Sequence, residues 1–346
     1  MLKLNPQEIV IEENAIEKIP KILEKLGNFK SILSVSGKTT FKLVGKKIAN
    51  NLSKNYKVHN TQAEVCDEST LNSAVKKNKE LKPDLILGIG GGKNIDLAKA
   101  IAYNLNKPWI SIPTIPSHDG IASNRAVVSK GEGKYPLLTN PPLAVIADLN
   151  IISEAPFRFF AAGCGDVIAK VTAVLDWQLA RDCKGEEFDE YAANLASTSA
   201  ELIINNSKHY KKNYKLSVKL LVKALINCSD AMVISNSSRP CSGSEHMFCH
   251  ATDNLYPKNT ALHGEKVGLG TYIMSFLHGI DYEKIRDGLV SYDLPVNSKE
   301  IKIPSKILVE ALSTAHKIRS DMRYTILKDG INEDKSRGIL TKLKVI

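Results

Sequence analysis

Apolar positions along the first half of the chain follow two alternating rhythms. EIVIEE (8–13), SILSVSG (31–37), YKVHNTQ (56–62), PDLILGIGGG (83–92), PWISIPT (108–114) and LAVIADL (143–149) are short apolar or alternating runs that read as strands. Between them, NAIEKIPKILEKL (14–26), TTFKLVGKKIANNL (39–52), ESTLNSAVKKNKEL (68–81) and KNIDLAKAIAYNL (93–105) space their apolar residues three and four apart, as helices do. Such alternation predicts βαβ units and a mostly parallel sheet. Past about Pro156 the strand rhythm disappears. FRFFAAGCGDVIAKVTAVLDWQLARD, DEYAANLASTSAELIINNS, SVKLLVKALINCSDAMVISN, HGEKVGLGTYIMSFLHG and PSKILVEALSTAHKI all carry helical spacing. The expected architecture is an α/β domain over 1–153 and an all-α domain over 154–346.

Length agrees with two domains: the chain has 346 residues, and a domain takes roughly 150. Apolar residues are 43% and charged residues 24% of the chain, the balance of a soluble globular protein. The net charge of +10 is mostly scattered lysine. A nucleic-acid platform needs a concentrated patch or a recognisable module. The charge therefore reads as a solvated surface, and it is compatible with a phosphorylated small substrate. None of the six cysteines forms a C-x-x-C pair, the N-terminal residues are charged, and no apolar run nears the ~18 residues of a membrane span. The expectation is a cytoplasmic protein with reduced thiols. A homo-oligomer is compatible with the sequence, which does not dictate one.

Five segments carry candidate chemistry. Gly88, Gly90, Gly91 and Gly92 lie between an apolar strand and a helix, where backbone N–H groups can cradle a phosphate. The dinucleotide pattern G-x-G-x-x-G fails at Lys93, and a tight turn that only needs small residues is the plain alternative. SVSGKTT ends like a P-loop but has Ile32 where that motif requires glycine. At the end of its strand, Lys38 could still meet an adenosine ribose or its 2′-phosphate. IPTIPSHDGIASN is a polar loop offering Thr114, Ser117, His118, Asp119, Ser123 and Asn124. Asp166 and Lys170 are four apart on a helix, so they are either a metal ligand beside a phosphate-binding lysine or a simple ion pair. His246 and His250 share that spacing and on spacing alone form the metal pair, with His263 farther on. Glu245 precedes His246, so the metalloprotease motif H-E-x-x-H is absent.

Taken together, GIGGGKNIDLAK, IPTIPSHDGIAS, GCGDVIAKVTAVLDW, SSRPCSGSEHMFCHATDN and LHGEKVGLGT resemble the sn-glycerol-1-phosphate dehydrogenases. That family belongs to the glycerol-dehydrogenase and dehydroquinate-synthase-like superfamily. The resemblance implies a dehydroquinate-synthase-like fold, with an N-terminal nucleotide-binding α/β domain, a C-terminal helical domain and the active site between them. It implies reduction of dihydroxyacetone phosphate by NADPH or NADH to sn-glycerol 1-phosphate, the backbone of archaeal membrane lipids, with one Zn²⁺. Carried over by motif, the metal ligands are Asp166, His246 and His263, while His250 and Asp119 face the substrate, with Asp166 also beside it. Gly90, Gly91, Gly92, Lys93, Asn94, Thr114, Ile115, Pro116, Ser117 and Ser123 contact the dinucleotide. For the substrate phosphate, Lys170 is the first choice and Arg239 the next. The proton donor is His250, or a water held by Asp119 and His250. Lys38 offers a charge for a 2′-phosphate, and no acidic residue follows its strand, which leans toward NADPH with NADH usable. Competing readings are a polyol dehydrogenase, a dehydroquinate-synthase-like lyase, and a non-catalytic nucleotide or metal sensor.

Overall fold

The computed structural model describes residues 6–131, 133–318 and 323–346. Its contacts divide the chain into two units, Met1–Pro156 with Tyr214–Val233, and Phe157–Asn213 with Ile234–Ile346. The first unit is thus discontinuous. Whereas the sequence reading assigns all of 154–346 to the helical part, the helix Tyr214–Ile234 packs with the N-terminal unit. Polar contacts account for this: Ser229 Oγ donates to the Asp119 carbonyl, and Lys215 Nζ reaches Asn150 Oδ1 at 3.0 Å and Glu13 Oε1 at 3.1 Å.

In the first unit six parallel strands form one sheet: β1 (Glu8–Glu12), β2 (Ser31–Ser36), β3 (Lys57–Gln62), β4 (Leu85–Gly90), β5 (Trp109–Pro113) and β8 (Ala144–Asp148). Their order across the sheet is β1-β8-β5-β4-β2-β3. β4 is central and buried on both faces. Leu85, Leu87 and Ile89 enter the core on one side, and Ile86 enters that on the other. A strand covered twice has no need of polar alternation, hence the continuous apolar run. Gly90 pairs in register with Pro113, so the carboxyl ends of β4 and β5 lie side by side, with β2 on the other flank of β4. Helix α1 (Gly92–Leu105) follows β4 and lays Ile95, Leu97, Ala98 and Ile101 on the sheet. The sequence reading missed one feature, an antiparallel ribbon of β6 (Arg125–Lys130) and β7 (Gly133–Leu138) outside the main sheet. Its strand signal is weak because Pro136 stands opposite Val127 in the ladder, and proline demotes a run to an edge.

The second unit is helical, and among the described residues it contains no strand. Four of its helices matter for the site: α2 (Phe157–Ile168), α3 (Lys170–Lys184), α4 (Ser244–Leu255) and α5 (His263–Leu277). α2 and α5 touch backbone to backbone. A Cβ on Gly264 would lie 1.8 Å from the Ala162 carbonyl oxygen, and one on Gly165 would lie 2.4 Å from that of Gly264. Only glycine permits this approach. The start of α5 is also tied down. Glu265 Oε2 accepts the Leu262 N–H at 2.7 Å, and Arg158 from α2 clamps both Glu265 oxygens at 2.6 and 2.8 Å. The start of α4 rests on α3, where Asp176 Oδ2 accepts the Ser244 N–H at 2.6 Å. Among the described residues, no helix is long and apolar enough to cross a membrane.

Candidate metal centre and nucleotide cradle

The glycine crossing of α2 and α5 sets Asp166, one residue past Gly165, near His263, one residue before Gly264. α4 adds His246. Potential ligand atoms of Asp166, His246 and His263 all lie within 4.8 Å of one another. His246 Nε2 is 3.8 Å from Asp166 Oδ1, and the two imidazole centroids are 5.1 Å apart. His250 lies one turn along α4, half-buried, with its ring 6.5 Å from each of the other two. The pair favoured by sequence spacing is therefore split: His246 joins residues from two other helices, and His250 stands beside the cluster.

The donor set fits a divalent metal. It offers one buried carboxylate and two imidazoles, and three protein ligands leave a coordination position open. Both imidazoles also have a neighbour at Nδ1. His246 Nδ1 lies 2.7 Å from Glu245 Oε1, and His263 Nδ1 lies 3.6 Å from Cys249 Sγ. Burial alone would raise the Asp166 carboxyl, but Lys170, His263 and His246 outweigh it and hold it below the ordinary carboxylate range. Lys170 is completely buried, with Nζ 2.9 Å from Asp166 Oδ1, so the i,i+4 ion pair is formed. Arg239, the other cation expected at the substrate phosphate, is buried as well. Its Nε meets Glu186 Oε1 at 2.6 Å, Nη2 meets Glu186 Oε2, and Nη1 donates to the Tyr324 carbonyl at 3.0 Å.

In the first unit the expected dinucleotide contacts gather around the β4–α1 turn. Gly91 is the N-cap of α1, and Gly92 begins it. The His118 ring lies against Gly92, where a Cβ would come within 2.0 Å of Nε2. Ile115 covers Gly91, and the Thr114 N–H donates to the Gly90 carbonyl at 3.0 Å. Asn94 Nδ2 donates to Ala63 O at 2.9 Å, tying the turn to the segment after β3. Lys93 follows in the first turn of α1, and Pro116 and Ser117 continue the loop that leads to Asp119. Ser123 is buried and contacts Lys99 Nζ at 3.3 Å.

Two residues here escaped the sequence reading. Lys99, fully buried on α1, donates to the carbonyls of Gly120 at 2.9 Å and Arg125 at 2.7 Å, holding the loop that carries Asp119. Burial pushes its ammonium pKa down, and Asp96 opposes that. A lysine inside the apolar stretch IDLAKAIA was the available signal. Glu64 is the second. No acid directly follows β2, but the fold brings one from beyond β3: Glu64 Oε1 accepts the Lys38 N–H at 2.7 Å, while the Lys38 side chain is exposed.

Comparison with known proteins extends this picture. The sequence pattern of "Iron-containing alcohol dehydrogenase" matches residues 10–156. Glycerol-1-phosphate dehydrogenase [NAD(P)+] of Thermococcus sibiricus is 41% identical over 330 residues, covering 95% of this chain and 94% of that one. The Methanosarcina mazei protein of the same name is 42% identical over 344 residues, with coverage of 99% and 96%. The chain belongs to the glycerol-1-phosphate dehydrogenase family. Among solved structures, a probable glycerol dehydrogenase from Sinorhizobium meliloti 1021 superposes with a TM-score of 0.78 at 20% identity, covering 98% of this chain and 96% of that one. Glycerol dehydrogenase from Schizosaccharomyces pombe gives 0.78 at 21%, covering 98% and 89%. At such identity the likeness establishes the fold, a parallel α/β sheet followed by helices. This glycerol-1-phosphate dehydrogenase family member thus shares its architecture with the wider dehydrogenase group.

Proposed function

We propose that the chain reduces dihydroxyacetone phosphate to sn-glycerol 1-phosphate with NAD(P)H, supplying the glycerol backbone of archaeal lipids. In this reading a divalent metal, zinc by first choice, sits on Asp166, His246 and His263. The observation that carries it is the convergence of these three side chains from three helices, in a member of this family. When bound, the metal acts as a Lewis acid toward the ketone, and the dinucleotide brings the hydride. Nitrogen and oxygen donors accept iron as well as zinc, so metal analysis decides the ion.

The chain's own groups do the rest. His250 stands beside the ligand cluster without joining it and is the proposed proton donor to the carbinol oxygen. Gly90 to Asn94, Thr114 to Ser117 and Ser123 hold the dinucleotide, with the free N–H groups of α1 turned to its phosphates. Lys170 balances the buried charge of Asp166, and its role at the substrate phosphate is tested separately. If Lys170 or Arg239 binds that phosphate, replacing it by Ala raises KM for dihydroxyacetone phosphate more than it raises KM for dihydroxyacetone. Glu64 alters the expectation for the cofactor. A carboxylate at the end of β2 accepts ribose hydroxyls and repels a 2′-phosphate, so it offsets Lys38 and favours NADH.

The deciding experiment is a steady-state assay with dihydroxyacetone phosphate and both cofactors, before and after chelation, with the product's stereochemistry determined. Formation of sn-glycerol 1-phosphate, lost on chelation and restored by Zn²⁺, is expected. Equal or faster turnover of unphosphorylated glycerol would move the chain to the polyol dehydrogenases.

A further inference from the structure

We propose that Glu245 is a positioning residue that sets the tautomer of His246 and thereby presents Nε2 to the metal. This rests on the reading of Asp166, His246 and His263 as ligands. Glu245 is completely buried in the first turn of α4. Its Oε1 accepts the Gly243 N–H at 2.6 Å and faces His246 Nδ1 at 2.7 Å, and its Oε2 accepts from Thr172 Oγ1 at 2.9 Å. An ionised carboxylate only accepts, so the hydrogen on the short contact to His246 belongs to Nδ1. A neutral imidazole with its hydrogen on Nδ1 has its lone pair on Nε2, the nitrogen 3.8 Å from Asp166 Oδ1. The Thr172 contact ties the same carboxylate to α3, so its orientation is held from two helices. Gly243 makes room for this. A Cβ there would lie 2.9 Å from Glu245 Oε2 and 2.6 Å from Asp176 Oδ2.

The glutamate that breaks the H-E-x-x-H pattern therefore acquires a different task. It stands one residue before the ligand instead of one after, and it faces the ligand's far nitrogen. A negative charge there makes the imidazole a stronger donor, and loss of such a partner typically weakens metal binding by about 10–100-fold.

The test is Zn²⁺ affinity, measured by competition with a chromophoric chelator, in wild type, Glu245→Gln and His246→Ala. Glutamine can keep the shape, with its carbonyl toward Gly243 and His246 and its amide toward Thr172, but it lacks the charge. The Zn²⁺ Kd should rise about 10–100-fold in Glu245→Gln, while the metal-stripped protein unfolds at the wild-type temperature and NADH binds as before. An unchanged Zn²⁺ Kd in a folded Glu245→Gln protein overturns the proposal. If wild type holds no Zn²⁺, or His246→Ala holds it equally well, the ligand reading itself fails and this proposal falls with it. Should Glu245→Gln not fold, wild type still answers. In a two-bond ¹⁵N–¹H correlation spectrum of the zinc-loaded protein, His246 must show its hydrogen on Nδ1, and a hydrogen on Nε2 refutes the assignment.

Discussion

At the scale of single residues, the division of labour among three histidines is the sharpest claim. His263→Ala should lose the metal, whereas His250→Ala should keep it and lose about 10²–10⁴-fold in kcat. Metal content per chain, measured beside the rate, separates the two. Glu64→Gln should raise the ratio of kcat/KM for NADPH over NADH about tenfold, equivalent to ~1.4 kcal/mol. An unchanged ratio would place the adenosine end elsewhere. The sequence showed the candidates but could not choose between His250 and His263 by spacing. Four residues along a helix guarantee a common face, but His263 arrives from another helix, 17 positions after His246. The motif resemblance supplied the choice, and the crossing at Gly165 and Gly264 is its physical basis. Glu64 acts only through tertiary neighbours, so nothing local marks it, whereas Lys99 leaves one local trace, a lysine within an apolar stretch.

Elements repeat the contrast between local and distant causes. β4 and α1 were legible because burial on both faces and glycine at the turn leave a local trace. The β6–β7 ribbon was not, since Pro136 interrupts its strand signal. The α2–α5 crossing is invisible to periodicity, because a helical glycine reads as a weak helix former wherever it falls. Its importance can be measured. Gly264→Ala places a methyl 1.8 Å from the Ala162 carbonyl oxygen. It should cost about 3 kcal/mol or more and release the metal, because the helices carrying Asp166 and His263 are forced apart. Gly338→Ala, in the helix Glu333–Lys342 where a Cβ meets nothing within 4 Å, should instead stabilise by about 0.5–1 kcal/mol. Denaturant unfolding and metal content, measured on both variants, distinguish a packing constraint from a general intolerance of alanine.

For the whole molecule, stability should depend on pH through a carboxyl on the helix Tyr214–Ile234. Burial pushes the Asp230 carboxyl up to about 6. Its folded pKa then lies above the unfolded value of about 3.9, so the neutral acid is the form that folding favours. That contribution is complete below about pH 4 and lost as pH rises through about 6. Asp230→Asn should therefore stabilise the chain by ~2 kcal/mol at pH 8, after discounting for partial exposure, and by little at pH 4. Urea unfolding at the two values checks the sign. The ion pair of Lys170 with Asp166 has an equally global consequence. Small zinc domains unfold without their metal because its binding supplies their folding free energy. Here a large apolar core does that work, and an internal ammonium already answers the charge of the carboxylate ligand. The protein should consequently survive demetallation as a folded reservoir, to be emptied and refilled with one ion or another. Retained far-ultraviolet circular dichroism after chelation, with activity returning on titration of each metal, would make the chain a ready host for comparing iron and zinc in one scaffold.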